Sequence, residues 1–229
     1  MGTKERLRIY RELLRKHLEG SERLLFVPFA SHDHSGYTAR VIESLSANGL
    51  SIRGLHEEAD PIAAIEGAEA IYVGGGNTFL LVSELHSRGL VGPIRERVRA
   101  GASYLGVSAG SNVACPTMAT TNDMPIVLPK SFETMGIVPF QVNPHYHPGK
   151  IHFMDGAEMR QHYGESREQR IAELHREVDT PVLGMWEGSF VHWDGQLGRL
   201  TGRATAFRSG EEPTELQDGS EFDCKLLTV

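Results

Sequence analysis

One serine of this chain has the neighbours that a nucleophile on a sharp turn requires. Gly106-Val107-Ser108-Ala109-Gly110 matches the pattern G-x-S-x-G and follows the apolar segment 103–107. On a turn from strand to helix, small neighbours leave the serine hydroxyl exposed, and the following N–H can face a developing oxyanion. The pattern favours Ser108 as a nucleophile. The alternative is a glycine-rich turn in which the serine is incidental.

A second glycine turn, Gly74-Gly75-Gly76-Asn77, closes the apolar segment 70–76. The carboxyl ends of neighbouring parallel strands share one crevice, so this turn could present a second N–H beside Ser108. It could equally cradle a phosphate at a helix N-terminus, or be only a tight turn.

A serine nucleophile needs a general base and an acceptor that orients the base. Of the eleven histidines, His145 stands out because Pro144 stiffens the chain before it. Two carboxylates could serve as the orienting acid, Asp123 and Glu187. Of these, Glu187 lies at the end of a predicted strand. The residues themselves do not decide between them.

Six of the histidines raise the question of a metal site. They cluster in the loop 145–166 and around Asp33, at positions His145, His147, His152, His162, His32 and His34. Their spacing fits neither H-E-x-x-H nor a Cys–His zinc pattern. We therefore predict solvated or hydrogen-bonded loop histidines, with no metal and no cofactor.

The elements that must position these residues alternate along the first half of the chain. Apolar runs predict strands at 24–30, 50–56, 70–76 and 103–107. Helical patterns are predicted at 4–18, at 37–47, from Asp60-Pro61 onward, at 77–88, at 93–100 and directly after Ser108. This alternation predicts an α/β fold, with helices on both faces of a mostly parallel sheet.

The second half is predicted to be looser. A strand is expected at 136–142, and a helix at 166–178, where Ser166 and Gln169 have the spacing of a capping box. A strand at 181–186 precedes a hairpin around Asp194-Gly195. No segment has the composition of a linker between domains, so we predict a single three-layer domain over 1–229.

The amino-acid composition limits the classes of partner that we expect for this chain. Lys and Arg number 23 against 30 for Asp and Glu, so no overall basic surface favours nucleic acid or an anionic membrane as a partner. Two cysteines, Cys115 and Cys224, are too few for a disulfide framework. No apolar run approaches the roughly 18 residues of a membrane span, and the charged N-terminal segment does not read as a signal peptide. We expect a cytoplasmic location.

Residues 106–127, GVSAGSNVACPTMATTNDMPIV, resemble the nucleophile segment of the peptidase E family of serine peptidases, the α-aspartyl dipeptidases. Other stretches resemble the same family in the same order: FVPFA (26–30), ADPIAAIE (59–66), VGGGNTF (73–79), NPHY (143–146), GESREQRI (164–171) and WEGS (186–189). The resemblance implies a fold like the class I glutamine amidotransferases, with serine at the nucleophile elbow. It also implies hydrolysis of dipeptides with an N-terminal aspartate (Asp-Xaa) through an acyl-enzyme.

By position, the resemblance makes Ser108 the nucleophile and His145 the general base. Glu187 would be the acid, with Asp123 as the competing candidate. Gly76 and Ala109 would supply the oxyanion N–H groups.

The resemblance also places Arg167 and Asn77 in substrate binding. Arg167 could pair bidentately with the substrate aspartate, a geometry that lysine cannot reproduce. The expected partner is therefore a small peptide, and the chain is expected to be a monomer or homodimer. Two alternatives remain: a β-aspartyl, cyanophycinase-like serine peptidase, and an anion-binding module without turnover.

Overall fold

Four parallel strands organise the first part of the chain. A computed structural model describes residues 12–45, 49–149 and 151–229. The chain divides into two units, Met1–Ile137 (unit 1) and Val138–Val229 (unit 2). The single domain over 1–229 stays a prediction.

Unit 1 contains a parallel sheet in the order β2-β1-β3-β4. Its strands are β1 (Arg23–Val27), β2 (Ser51–Gly54), β3 (Ala70–Val73) and β4 (Ser103–Gly106). The predicted strands are confirmed, but each ends earlier than predicted. The residues beyond each strand end form turns, and a 3-10 turn over Leu55–Glu57 follows β2.

Helices cover both faces of this sheet. They are α1 (12–17), α2 (His34–Leu45), α3 (Pro61–Glu66), α4 (Thr78–Ser87), α5 (Val91–Arg99) and α6 (Ala109–Ala114). Side chains alternate along β1, so Phe26 packs in one core cluster with α2, whereas Val27 packs in another with α4 and α5. This arrangement confirms the α/β fold with a parallel sheet.

The helix starts follow local capping chemistry. The carboxylate of Asp60 accepts hydrogen bonds from the N–H groups of Ile62 and Ala63, and Pro61 occupies the first helical position, as predicted. Of the predicted helix 4–18, residues 4–11 lie outside the described part of the chain. The predicted helix 37–47 begins earlier, at His34, and residues 46–47 are also outside the described part.

Unit 2 is mostly antiparallel. One sheet has the order β12-β11-β8-β5, in which only β5 and β8 are parallel. Its strands are β5 (Gln141–Tyr146), β8 (Val182–Trp186), β11 (Ala204–Phe207) and β12 (Thr214–Leu216). A second sheet joins β9 (Phe190–Trp193), β10 (Gly198–Thr201) and β13 (Glu221–Phe222). The helix α7 spans Arg167–Leu174.

Two predictions for unit 2 are confirmed and two need correction. The capping box of Ser166 and Gln169 is present, and β9 and β10 pair as a hairpin around Asp194-Gly195. The strand predicted at 136–142 begins only at Gln141. The loop 145–166 contains a hairpin of β6 (His152–Asp155) and β7 (Glu158–Gln161), turning at Gly156, where φ is +62°.

In the described ranges, no helix is both long enough and apolar enough to cross a membrane.

Candidate active site

Ser108 lies on a strained turn between β4 and α6. Its backbone has φ +53° and ψ −108°, a conformation that side-chain-bearing residues rarely adopt. The two glycines of the motif are sterically required. A Cβ on Gly106 would stand 2.5 Å from the Gly110 carbonyl oxygen, and one on Gly110 would overlap the Val73 carbonyl. The crowding inferred from the sequence is therefore what forms the elbow.

The Gly74-Gly75-Gly76 turn lies against this elbow, because β3 and β4 are neighbours with Val73 opposite Gly106. A Cβ on Gly75 would be 3.1 Å from the Ser108 Cβ. Gly76 has φ +136°, and a Cβ there would overlap the Ala30 carbonyl oxygen. Only glycine fits this turn.

The N–H groups of Gly76 and Ala109 are available beside this elbow. Within the described residues, neither N–H has a hydrogen-bond partner. The flanking N–H groups are occupied: Gly74 donates to the Val27 carbonyl at 3.2 Å, and Asn77 donates to the Ala30 carbonyl at 3.0 Å.

Asp123 is engaged at the start of α4. Its Oδ2 accepts from the Thr78 N–H at 2.7 Å, from the Thr78 hydroxyl at 2.6 Å and from the Thr121 hydroxyl at 3.3 Å. The carboxylate therefore caps the helix that follows the glycine turn. Sequence reasoning missed Thr78, which carries this contact. The one feature of the sequence that could have indicated Thr78 is a hydroxyl side chain at the start of a predicted helix.

Asn77 is the N-cap of α4. Its side-chain oxygen accepts from the Leu80 N–H at 3.1 Å, and its amide nitrogen donates to the Met124 carbonyl at 2.9 Å. These contacts join the turn to the loop that carries Asp123. A contact between Asn77 and substrate stays a prediction.

In unit 2, His145 and Glu187 contact each other at the ends of two parallel strands. The His145 Nδ1 lies 2.6 Å from the Glu187 Oε2, and both side chains are more than half exposed. The register of β5 and β8 shifts between Asn143 and Tyr146, and His145 has φ +55°. Such an irregularity re-aims a side chain at a strand end.

Arg167 opens α7 with an unusual guanidinium. Its Nε and Nη1 atoms are buried and have no hydrogen-bond partner among the described residues. Burial, and secondarily the charge of Arg170, lowers the pKa of Arg167. A buried cationic donor without an acceptor is costly, which favours an anionic ligand at this position.

The described ranges contain no group of three or more His, Cys, Asp or Glu residues arranged to hold a metal ion. The two histidines His34 and His56 lie near each other, with ring centroids 5.6 Å apart. Burial, and then the charge of His56, lowers the pKa of His34.

Known proteins resemble this chain over most of its length. The model of peptidase family S51 matches residues 1–201. A peptidase E of Streptomyces coelicolor is 48% identical over 214 residues, covering 93% of this chain and 85% of the relative. A peptidase E of Salmonella typhimurium is 42% identical over 215 residues, covering 92% and 90%.

Solved structures share the fold at lower identity. A protein described as a peptidase E from Listeria monocytogenes has a TM-score of 0.58 at 22% identity, covering 90% of this chain and 92% of that one. A peptidase from an acI-B1 actinobacterium has a TM-score of 0.62 at 17% identity, covering 95% and 90%.

The family match excludes the anion-binding module without turnover, and a peptidase acts on peptide substrates. The nucleophile elbow and the relatives at 42 and 48% identity thus lead to one assignment: this chain belongs to peptidase family S51 and is a serine peptidase of the peptidase E type.

Proposed function

We propose that this peptidase hydrolyses dipeptides with an N-terminal aspartate. The observation that carries the proposal is the buried, unpartnered guanidinium of Arg167. A carboxylate can pair with one edge of this guanidinium through two parallel N–H bonds, one of them from the buried Nε. A neutral side chain in that position would leave them unpaired, which costs far more than the loss of one ordinary contact.

In the proposed reaction, the Ser108 oxygen attacks the peptide carbonyl carbon while His145 accepts the serine proton. The N–H groups of Gly76 and Ala109 stabilise the oxyanion. The C–N bond then breaks, and the leaving amine takes the proton from His145. Water, deprotonated by His145, attacks the acyl-enzyme and releases aspartate and Ser108. The strained backbone at Ser108 supports this assignment.

We propose Glu187 as the acid that orients His145. The 2.6 Å contact between the Glu187 Oε2 and the His145 Nδ1 supports this choice. The three donors already bonded to the Asp123 Oδ2 support a different task for Asp123, that of capping α4.

The test is a kinetic comparison of Asp-Leu, the β-aspartyl isomer of Asp-Leu, Asn-Leu and Glu-Leu. We expect Asp-Leu to be the best substrate and Ser108→Ala to lower its kcat by a factor of about 10⁴ or more. Preference for the β-aspartyl isomer would favour the cyanophycinase-like alternative. Full turnover by Ser108→Ala would refute the proposed nucleophile.

Arg167→Lys tests specificity with its charge retained. Because lysine cannot form the two-pronged pair, we expect kcat/KM for Asp-Leu to fall by about 10²-fold or more, and the preference over Asn-Leu to shrink. Arg170→Lys, on the same helix, is the matched control and should change neither. An unchanged preference in Arg167→Lys would contradict the proposed contact.

We also propose a cytoplasmic location, which the two free cysteines support. Whether the chain acts as a monomer or a homodimer stays a prediction, and sedimentation of the purified protein would measure it.

A further inference from the structure

The nucleophile elbow, residues 106–110, has a conformation that its own backbone does not favour. Ser108 has φ +53°, and such a backbone persists only where neighbouring groups hold it. The helix that follows, α6, has six residues, too few to be stable without contacts to other elements. The directions of the Ser108 oxygen and of the Ala109 N–H therefore have to be fixed by contacts across the elbow.

Two side-chain hydrogen bonds cross the elbow in opposite directions. From the strand side, the Tyr104 hydroxyl of β4 donates to the Gly110 carbonyl in the first turn of α6 at 2.7 Å. From the helix side, the Ser111 hydroxyl donates to the Gly106 carbonyl at the end of β4 at 3.0 Å. Each bond joins β4 to α6, so together they hold the backbone on both sides of Ser108.

Tyr104 is held so that its hydroxyl can act as a fixed donor. Tyr104 and Gly106 point to the same face of β4, because side chains alternate along a strand. A Cβ on Gly106 would lie 2.9 Å from Cε1 of the Tyr104 ring, so the ring lies directly on this glycine. The ring is partly buried and packs against the core cluster that contains Val113 of α6. Burial raises the pKa of Tyr104 well above its ordinary value, so the hydroxyl keeps its proton and remains a donor.

We propose that Tyr104 and Ser111 are positioning residues: their hydroxyl bonds across the elbow aim the nucleophile oxygen and the Ala109 N–H at the peptide carbonyl. The inference rests on the proposed function, in which these two groups attack the substrate and stabilise the oxyanion. Both side chains act through the backbone carbonyls on either side of the nucleophile.

Tyr104→Phe and Ser111→Ala each remove one hydroxyl and leave the glycines of the elbow in place. Removal of a whole oxyanion donor costs about 10²–10³ in kcat, and a loss of aim should cost less. We expect kcat for Asp-Leu to fall by about tenfold or more in each variant. KM should change by less than about twofold, because the alignment matters mainly in the transition state.

The matched control is Ser103→Ala, at the start of β4. The Ser103 hydroxyl donates to the His17 carbonyl at 3.4 Å, at the end of the strand away from the elbow. This variant also removes one hydroxyl bond from β4, so a general loosening of the strand should appear here as well. We expect its kcat and KM to equal those of the parent.

Two further measurements separate the aim of the elbow from the stability of the fold. Thermal unfolding curves identify a temperature at which every variant is fully folded, and at that temperature a lower Tm alone leaves kcat unchanged. The N–H groups of Gly110 and Ser111 donate to carbonyls of the elbow itself. Their hydrogen exchange should accelerate in Tyr104→Phe but not in Ser103→Ala.

The reaction of Ser108 with a fluorophosphonate reports on the elbow without peptide turnover. The phosphoryl oxygen of this reagent enters the oxyanion position, so the rate of labelling should fall with kcat in both elbow variants. Parental kcat in either variant, an equal loss in Ser103→Ala, or a loss confined to KM would each overturn the inference.

Failure of the proposed function has a different signature. Turnover of Asp-Leu by Ser108→Ala would remove this serine as the nucleophile. That result would stand even if hydrogen exchange in the elbow still depended on the Tyr104 hydroxyl.

Discussion

At the scale of single residues, two carboxylates that the sequence leaves equivalent have different partners. Glu187 contacts one imidazole nitrogen of His145, whereas Asp123 accepts hydrogen bonds from a helix N-terminus and two hydroxyls. The chemistry of each carboxylate follows from the donors around it. Position along the chain carries no such information, so the sequence could not separate them.

Glu187→Gln should lower kcat by about 10²–10⁴. The amide can donate to the His145 Nδ1, which stabilises the tautomer whose other nitrogen carries a proton and cannot accept one from Ser108. Nitrogen-15 shifts of His145 would report the change of tautomer. Asp123→Asn serves as the comparison: it should leave the His145 tautomer unaltered, whatever its effect on rate. A tautomer change caused only by Asp123→Asn would reverse the two assignments.

The two turns predicted from the sequence share a local signature. The turn at Ser108 could be predicted because the small neighbours that it requires lie within five positions, and the turn at Gly76 because three glycines end an apolar run. Thr78 could not be predicted in the same way. Its contact with Asp123 depends on how a distant loop folds back onto the start of α4.

At the scale of elements, α6 can approach β3 only because Gly110 has no side chain. Gly110→Ala would drive a Cβ into the Val73 carbonyl, so we expect a loss of about 2–3 kcal/mol in the free energy of unfolding. Gly92→Ala in α5 is the matched control. It meets no atom within 4 Å and should be neutral or stabilise by about 0.5–1 kcal/mol. Equal stability of the two variants in urea would contradict the argument.

Glu69 joins the starts of β1 and β3. Its Oε2 accepts from the N–H groups of Glu22 and Arg23, and its Oε1 contacts the Arg23 guanidinium at 2.7 Å. The hydrogen bond from the Arg23 side chain, followed by the two backbone N–H groups, lowers the pKa of Glu69 from 4.5 to about 2. The carboxylate form is therefore favoured in the folded chain.

This shift predicts a pH-dependent cost for Glu69→Gln. A pKa that is lower in the folded chain stabilises the fold above pH 4.5, and this stabilisation is lost as the pH falls toward 2. The difference in Tm between the parent and Glu69→Gln should therefore be largest near pH 7 and shrink between pH 4.5 and 2. Glu66→Gln, at the exposed end of α3, should show no such trend. A difference that is constant with pH would argue against the contact.

Helices and strands were predicted well where the spacing of the apolar residues and the flanking residues indicate the same element. Examples are β3 and α3 with its Asp60 cap. The hairpin of β6 and β7 was missed because its strands are exposed and lack a buried face. The Asp155-Gly156 dipeptide was its one available signal. Histidines and charges in the same stretch gave it the composition of a loop.

At the scale of the whole molecule, net charge and local charge point in opposite directions. The chain carries a formal net charge of −7, which repels an acidic ligand over distances comparable to the Debye length. In the proposed function, Arg167 would attract the same ligand at contact distance, from a partly buried position where salt screens less. Composition disfavours polyanions as partners, but it says little about one small anion that a single guanidinium would hold.

These opposite effects predict how salt changes the reaction. Asp-Leu carries one net negative charge at neutral pH, so screening of the long-range repulsion should raise its kcat/KM by up to about threefold between about 10 and 150 mM salt. Asp-Lys has no net charge but the same N-terminal aspartate, so its kcat/KM should stay nearly constant. Both values come from initial rates at one pH. A fall of kcat/KM with salt for both peptides would mean that the field around Arg167 outweighs the net charge even at long range.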